Sequence, residues 1–500
     1  MAAAAAGEDR LSGLPDDLLH SILRGLPLKH AARTSALSRR WACQWLRALA
    51  SSPSIDLTDR DFARGQPPAR AAATVSRCFR LHAEHGAPLN AFRVALGLGD
   101  AASALGRDVV GWVAARGARD VEVDLTPPPQ EEEDDTDHGS AAFLEIPGDL
   151  FLAENSLERL ALGGRFGLRA VPAPPGAAGL ARLRSLSLSD ADVTDEVVQA
   201  MVSSFRALEL LSLRRCRRLT SVRVIAGGRL RVLEIVGCLA VRALQVAAPA
   251  LESFAFHGDI VCSTDPDEEE DAGGVLLGDT PALRDAYLSH LGFGDYDDDR
   301  HEECIAHANV LTLCSVGLLG TYRFGVDAPN LQELQLLMPS LGNGDVERVS
   351  ACFEFISVPI LDRLFIRLLG GPADAGGAAA SLPAAAEDEP DIVPNVDIVL
   401  DHLTLIKSVN IRGTRCELRL LRFLMNRAPA LGEVVLVIAE EEGALGGQET
   451  MAIQTRVPAM RTALPEARVT VCRPGKDGSR PGTPHTRSCT MSSSSFDFRF

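Results

Sequence analysis

A single spacing, LxxLxL, recurs along the chain and decides most of what it can fold into. It stands at Leu157/Leu160/Leu162, Leu183/Leu186/Leu188, Leu208/Leu211/Leu213, Leu230/Leu233/Ile235, Leu251/Phe254/Phe256, Leu331/Leu334/Leu336 and Leu361/Leu364/Ile366. The first five copies start 26, 25, 22 and 21 residues apart, a period that suits one short strand plus a return path. Alternate side chains of such a strand point to one side, so a lone unit leaves its apolar face uncovered and neighbours must stack. Hydrophobic residues make up 46% of the chain but aromatics only 5%, so the core is built from Leu, Val and Ala, as in stacked repeats. The 500 residues are therefore expected to form an α/β repeat array rather than one compact enzyme core.

Residues 10–50 carry a separate pattern. In RLSGLPDDLLHSILRGLP, Pro15 suits the first turn of a helix, Asp16 and Asp17 complement its dipole, and Gly25 suits its stop. Leu18, Leu19, Ile22, Leu23 and Leu26 are expected on one apolar face. The stretch TSALSRRWACQWLRAL reads as a further helix with Leu37, Trp41 and Trp45 on one stripe. About 40 residues cannot bury that many apolar side chains internally. The surplus implies a surface for a partner.

The return paths of the repeats differ. Val193, Val197, Val198, Met201, Val202 and Phe205 stand at helical spacing, whereas Leu219/Val222/Val224 and Val241/Leu244/Val246 repeat a strand-like spacing. A solenoid with such mixed outer faces is expected to curve irregularly. Acidic runs at Glu131–Asp137, Asp265–Asp271 and Asp295–Asp299, and a Gly/Ala/Pro-rich stretch from Gly370 to Pro394, read as solvated loops. The expected organisation is a disordered start over 1–9, the helical module over 10–50, the repeat array over 74–370, a linker over 371–394, a C-terminal cap over 395–472 and a disordered tail over 473–500.

A net charge of -17 opposes a phosphate backbone, so nucleic acid is excluded as the main partner. Eleven cysteines, scattered and without a CxxC pair, fit a reducing compartment. The opening MAAAAAGEDR reads as no secretory signal, and no apolar run reaches the roughly 18–20 residues that span a bilayer. Cytosol or nucleus is the expected location.

The segment LSGLPDDLLHSILRGLPLKHAARTSALSRRWACQWL resembles the F-box, and the repeats with the C-terminal segment resemble the large plant family that joins an F-box to leucine-rich repeats and an FBD region. The likeness implies a three-helix F-box followed by an irregular leucine-rich-repeat solenoid, or horseshoe. It also implies docking to a Skp-type adaptor and through it to a cullin ubiquitin ligase, with an unknown protein cargo held by the repeats and no catalysis in the chain itself. By resemblance Leu14, Pro15, Leu18, Ile22, Leu26, Pro27, Leu37 and Trp41 are the adaptor-facing or module-core positions. Ala31 and Ala32 stand where bulkier aliphatics are frequent, and Ser38 where cysteine is common.

Several patterns look like chemistry. GLGDAA at Gly97–Ala102 follows the strand-like AFRVAL and precedes RDVVGWVAARG and VEVDL. That order makes a dinucleotide-binding enzyme centred on Gly97–Asp124 the alternative reading, although the alternation around Phe92, Val94 and Leu96 is unlike a central parallel strand. An adaptor-binding scaffold without a degradation role is a further alternative. His82 with His85, and His301 with Cys304 and His307, lack a complete zinc set. Asp295, Asp297 and Asp299 open like a calcium loop, but Arg300 and Ala306 occupy positions that need glycine and glutamate. No cofactor and no metal are expected. Cys216 and Cys238, closing LxxLxLxxC units, are expected to be buried.

In each unit the residue between the last two core positions points away from the core, so Ser187, Ser212, Glu234, Ala255, Gln335 and Phe365 are expected to line one exposed column. Near one end Arg206, Arg214, Arg215, Arg217, Arg218, Arg223, Arg229 and Arg231 face only Glu209 within residues 206–231. This basic island is read either as a solvated surface or as the site that orients an acidic cargo segment. The expected cargo residues are Ser187, Ser212, Arg214, Arg215, Arg217, Arg218 and Glu234.

Overall fold

A computed structural model describes residues 13–58, 67–96, 116–126, 143–146, 156–169, 182–258, 274–290, 307–314, 326–338, 341, 346, 349–350, 353, 356–368, 398–439 and 467–482. The chain divides into two compact units, Met1–Leu219 and Thr220–Phe500.

The first unit opens with helices α1 (Asp16–Arg24), α2 (Leu28–Arg33) and α3 (Gln44–Ala50). Pro15 precedes α1 in an extended conformation and Gly25 ends it. The predicted second helix is broken. Short 3-10 turns over Thr34–Ala36 and Trp41–Cys43 replace a continuous α-helix before α3. The cause is local competition for the backbone: the Thr34 hydroxyl donates to the Ala31 carbonyl at 2.6 Å and the Ser35 hydroxyl to the Ala42 carbonyl at 3.2 Å. Leu37 and Trp41 consequently leave their shared stripe, the first for solvent and the second for the core.

After the module, helix α4 (Pro68–His85) leads into the repeats. Strands β1 (Ser54–Leu57), β2 (Ala91–Ala95), β3 (Asp120–Asp124), β4 (Arg159–Gly163), β5 (Ser185–Ser189) and β6 (Leu210–Arg214) pair in parallel and in register, each with the next. Ile55/Leu57, Phe92/Val94, Val121/Val123, Leu160/Leu162, Leu186/Leu188 and Leu211/Leu213 stack as one buried column, each side chain contributing about 1.5–3 kcal/mol of transfer free energy. Residues 195–204 form helix α5, as the 3.6-residue spacing predicts. The two αL corners after β5 and β6 fall on non-glycine residues, Asp190 (φ 56) and Arg215 (φ 48), whereas Gly164 (φ 110) serves after β4.

In the second unit, β7 (Val232–Val236), β8 (Ser253–Gly258), β9 (Asp285–His290), β10 (Val310–Cys314), β11 (Glu333–Met338), β12 (Arg363–Leu368), β13 (Leu405–Ile411), β14 (Glu433–Ile438) and β15 (Arg468–Cys472) pair in parallel, each with the next. Extended returns over Ser221–Ile225, Ala243–Ala247 and Gly274–Leu277 form a three-stranded parallel sheet of their own. Helix α6 (Arg415–Arg427) starts at a capping box, in which the Thr414 hydroxyl accepts from the Glu417 amide at 3.3 Å and the Glu417 carboxylate accepts from the Thr414 amide at 2.9 Å. Among the described residues, no helix is long and apolar enough to cross a membrane.

The segment after β15, expected as a disordered tail, is structured over 473–482. A 3-10 turn at Pro474–Lys476 is followed by Asp477, which bonds to Lys407 on β13 at 2.6 Å. Tertiary contact across 70 residues outweighs the polar local composition here.

Candidate functional site

The two faces of α1 do different work. Leu19 and Leu23 turn inward and pack with Ala31, Trp41 and Ala48, with Leu14 and Trp45 against them. Leu18, Ile22 and Leu26, each four residues from the next, turn outward and are 52%, 45% and 38% exposed; Leu37 is 59% exposed. Pro15 and Pro27 are exposed at the two ends of the helix. The single apolar face expected from sequence is thus two stripes. Polar ties hold the outward one rigid: Arg40 donates to the Leu14 carbonyl at 2.6 Å and to Asp16 at 2.7 Å, and Arg24 donates to the Ser51 hydroxyl at 2.8 Å. The Arg40 hydrogen bond lowers the Asp16 carboxyl from its ordinary value.

The strand-face column is less exposed than expected. Ser187 is half-buried, but Ser212, Glu234, Ala255 and Phe365 are buried, and Gln335 is half-buried. In-register parallel strands stand roughly 4.8 Å apart, so each side chain of the column is covered by those above and below it. In the second unit the rungs run Glu234, Ala255, Tyr287, Thr312, Gln335, Phe365, Lys407, Val435, Thr470. Sequence reasoning missed Tyr287, Thr312 and Lys407, whose repeats lack the full leucine spacing.

Two arginines of the basic island are paired across repeats. Arg215 makes a bidentate pair with Asp190 at 2.6–3.1 Å, and Arg218 reaches the buried Asp192 at 3.1 Å. Both acids come from the preceding repeat, 25 and 26 residues away, which is why the local sequence shows no counter-charge. Arg214 is buried beside the Ser212 hydroxyl at 3.2 Å, and burial together with the neighbouring Arg215 charge pushes its pKa down to about 10. Arg217 is exposed. Reversing all four charges would break two ion pairs of the fold.

Comparison with known proteins bears on the whole chain. Residues 11–47 match the F-box domain family, and residues 153–268 match the family described as the At1g61320/AtMIF1 LRR domain. The Arabidopsis thaliana F-box/LRR-repeat protein At3g03360 is 24% identical over 488 residues, covering 90% of this chain and 88% of that relative. The F-box/FBD/LRR-repeat protein At3g14710 of the same plant is 26% identical over 283 residues, 53% of this chain and 58% of the relative. At5g22660, also an F-box/FBD/LRR-repeat protein of that plant, is 50% identical over 52 residues, and that match spans only 11% of its length. The chain thus carries an F-box and a leucine-rich-repeat segment and is similar to plant F-box/LRR-repeat proteins.

In this F-box/LRR chain the chemical-looking motifs resolve into structure where they are described. Gly97–Ala102 lies outside the described residues, as do His301, Cys304 and Asp295–Asp299. Strands β2 and β3 on either side of the glycine motif are neighbouring repeat strands, and the Asp124 carboxylate accepts from the Thr126 amide at 2.9 Å. Cys216 and Cys238 are buried, their thiols directed at carbonyls of Arg214 and Val236 at 3.5 and 3.9 Å. Among the described residues no His/Cys/Asp/Glu cluster could hold a metal ion.

His82 ties α4 to the F-box module. Its Nε2 faces the Ser52 carbonyl at 2.9 Å, and a carbonyl only accepts, so Nε2 carries the proton and Nδ1 accepts from Arg116 at 3.2 Å. Burial lowers its pKa; the Ser52 carbonyl opposes this, and the Arg116 and His85 charges add to it. The unfolded chain therefore protonates first as pH falls below about 6.5. Stability is expected to decline through that window by at most about 1.4 kcal/mol per pH unit for this one proton. Urea titrations at pH 7.5 and 5.5 should show a loss that His82→Gln reduces. An identical pH dependence in both proteins would show that another group is responsible.

Proposed function

We propose that this chain is the substrate-recognition adaptor of an SCF-type ubiquitin ligase, a non-catalytic subunit that acts in the cytosol or nucleus. The outward stripe of α1 carries the reading. A module of this size holds Leu18, Ile22, Leu26 and Leu37 in solvent while its core is completed by other side chains, and exposed apolar patches of that kind mark association surfaces. The F-box match over residues 11–47 supplies the class of partner, a Skp-type adaptor that joins a cullin. In this reading Leu14, Pro15, Leu18, Ile22, Leu26, Pro27 and Leu37 form or flank the docking face, Trp41 supports it from behind, and the repeats hold a protein cargo. The segment 395–472, with β13, α6, β14 and β15, is read as an FBD-like cap.

The test is direct binding of the purified full-length chain to a recombinant plant Skp-type adaptor. A one-to-one complex in the micromolar range or tighter is expected; absence of a complex would sink the adaptor reading. Cargo that accumulates when the chain is removed separates a ligase subunit from a scaffold, which would leave cargo turnover unchanged.

A further inference from the structure

The C-terminal repeats present a strand face unlike the rest of the column. Phe365, Leu405, Val435 and Val437 form a buried apolar cluster there, with Val409 and Cys472 packed against it. Register places Lys407 in the middle, between Phe365 on β12 and Val435 on β14. It is 5% exposed, and an ammonium so placed in apolar surroundings is stable only when fully paired.

Its partners all come from the segment after β15. The Lys407 ammonium donates to the Asp477 carboxylate at 2.6 Å, to the Ser479 hydroxyl at 2.9 Å and towards the Arg480 carbonyl at 3.4 Å. Asp477 is arranged for this role, since its other oxygen accepts from the Ser479 amide at 3.0 Å and from the Ser479 hydroxyl. Burial alone would raise the Asp477 carboxyl; the Lys407 and Ser479 hydrogen bonds outweigh it and hold the carboxyl below its ordinary value. Further along, Gly482 lies against the next rungs: a Cβ there would stand 3.3 Å from Gln335 Nε2 and 3.4 Å from Phe365 Cδ1. Residues 473–482 thus run back from the end of β15 across Lys407 and Phe365 to Gln335, as a bound peptide would. Three acceptors converging on one point suit a compact ammonium better than a planar guanidinium, and Lys407 is one of only three lysines among 50 basic residues.

We propose that this strand face is a recognition groove for an aspartate-containing loop of a partner protein, with Lys407 reading the carboxylate, and that residues 473–482 occupy it in cis as a competing pseudo-ligand. The inference rests on the repeats being the cargo-binding part. It moves the cargo site from the arginine-rich repeats to the C-terminal ones, and it makes an aspartate-bearing cargo displace the chain's own segment. A tethered ligand competes at an effective concentration in the millimolar range, so cargo must match the Asp477 contacts to enter.

The probe is a fluorescent peptide of sequence RPGKDGSRPG, residues 473–482, titrated into the full-length chain. The Asp477→Ala chain, whose own segment no longer pairs with Lys407, is expected to bind the probe at least about tenfold more tightly than the wild-type chain. Ser479→Ala should shift affinity in the same direction by less. A probe with asparagine in place of the aspartate should bind the Asp477→Ala chain at least about tenfold more weakly than the parent probe. Wild-type and Asp477→Ala chains that bind the probe within twofold of each other, or aspartate and asparagine probes that bind equally, would overturn the proposal. Skp-type adaptor binding, measured on the same proteins, keeps the two readings apart: its loss overturns the ligase reading and leaves the titrations unaffected.

Discussion

Replacing Leu18 and Ile22 together with alanine is expected to weaken Skp-type adaptor binding by 100-fold or more while the F-box module stays folded. Both side chains lie half in solvent, so their truncation removes little of the module's own packing, and exposed substitutions of this kind stay within about 0.5 kcal/mol. Alanine also keeps the helix propensity of α1. At a docked surface the same two residues would be central aliphatic anchors, each costing about 2 kcal/mol or more when truncated. Trp41 belongs to the other class. It is 3% exposed and packs on Leu19, Leu23, Ala31 and Ala48, so Trp41→Ala should cost about 3–5 kcal/mol, enough to unfold so small a module and abolish binding through loss of helix. Calorimetric titration with the adaptor, paired with circular dichroism, separates the two classes. Binding by Leu18→Ala/Ile22→Ala within threefold of wild type would show that the outward stripe is not the docking face.

This contrast also shows where the sequence was readable. The pattern of apolar residues announced a small module with more leucines than it could bury, but not which of them faced inward, because Leu18 and Leu19, or Ile22 and Leu23, are adjacent and chemically alike. Leu19 and Leu23 are the pair that meets Ala31, Trp41 and Ala48, a contact made only once the later segments of the module pack against α1. In the repeats, full leucine copies were legible at once. The strands at Leu89/Phe92/Val94, Ala118/Val121/Val123, Leu283/Ala286/Leu288, Ala308/Leu311/Leu313, Leu403/Ile406/Ser408 and Leu431/Val434/Leu436 keep the same spacing with other residues in leucine's place. Only the parallel register makes them repeats. The return paths read well, as helix α5 and the extended returns follow their different periods. What local sequence could not contain was the long-range pairing: Arg215 with Asp190, Arg218 with Asp192, and Lys407 with Asp477.

The second large effect concerns Glu333, a carboxylate at 0% exposure on β11. Its register partner on β12 is Arg363, whose Nε lies 3.1 Å from one carboxylate oxygen in an ion contact outside hydrogen-bond geometry. The other oxygen accepts from Gln335 Nε2 at 2.7 Å. Such a pair gains little over an apolar replacement of both members, because desolvation offsets the attraction, but deletion of one member leaves the other charge buried. Glu333→Ala should therefore cost about 3–5 kcal/mol in urea unfolding, while Glu333→Leu combined with Arg363→Met should recover most of it. The consequence reaches the groove. Gln335, whose amide Glu333 orients, is the side chain nearest Gly482, so loss of Glu333 is expected to loosen the cis segment over Phe365 and raise hydrogen exchange at residues 477–482. Adaptor binding by the F-box module should persist in this variant wherever the chain remains folded. A Glu333→Ala chain within about 1 kcal/mol of wild type would mean that water solvates Arg363 in place of the carboxylate, and that the strand face is open enough to admit it.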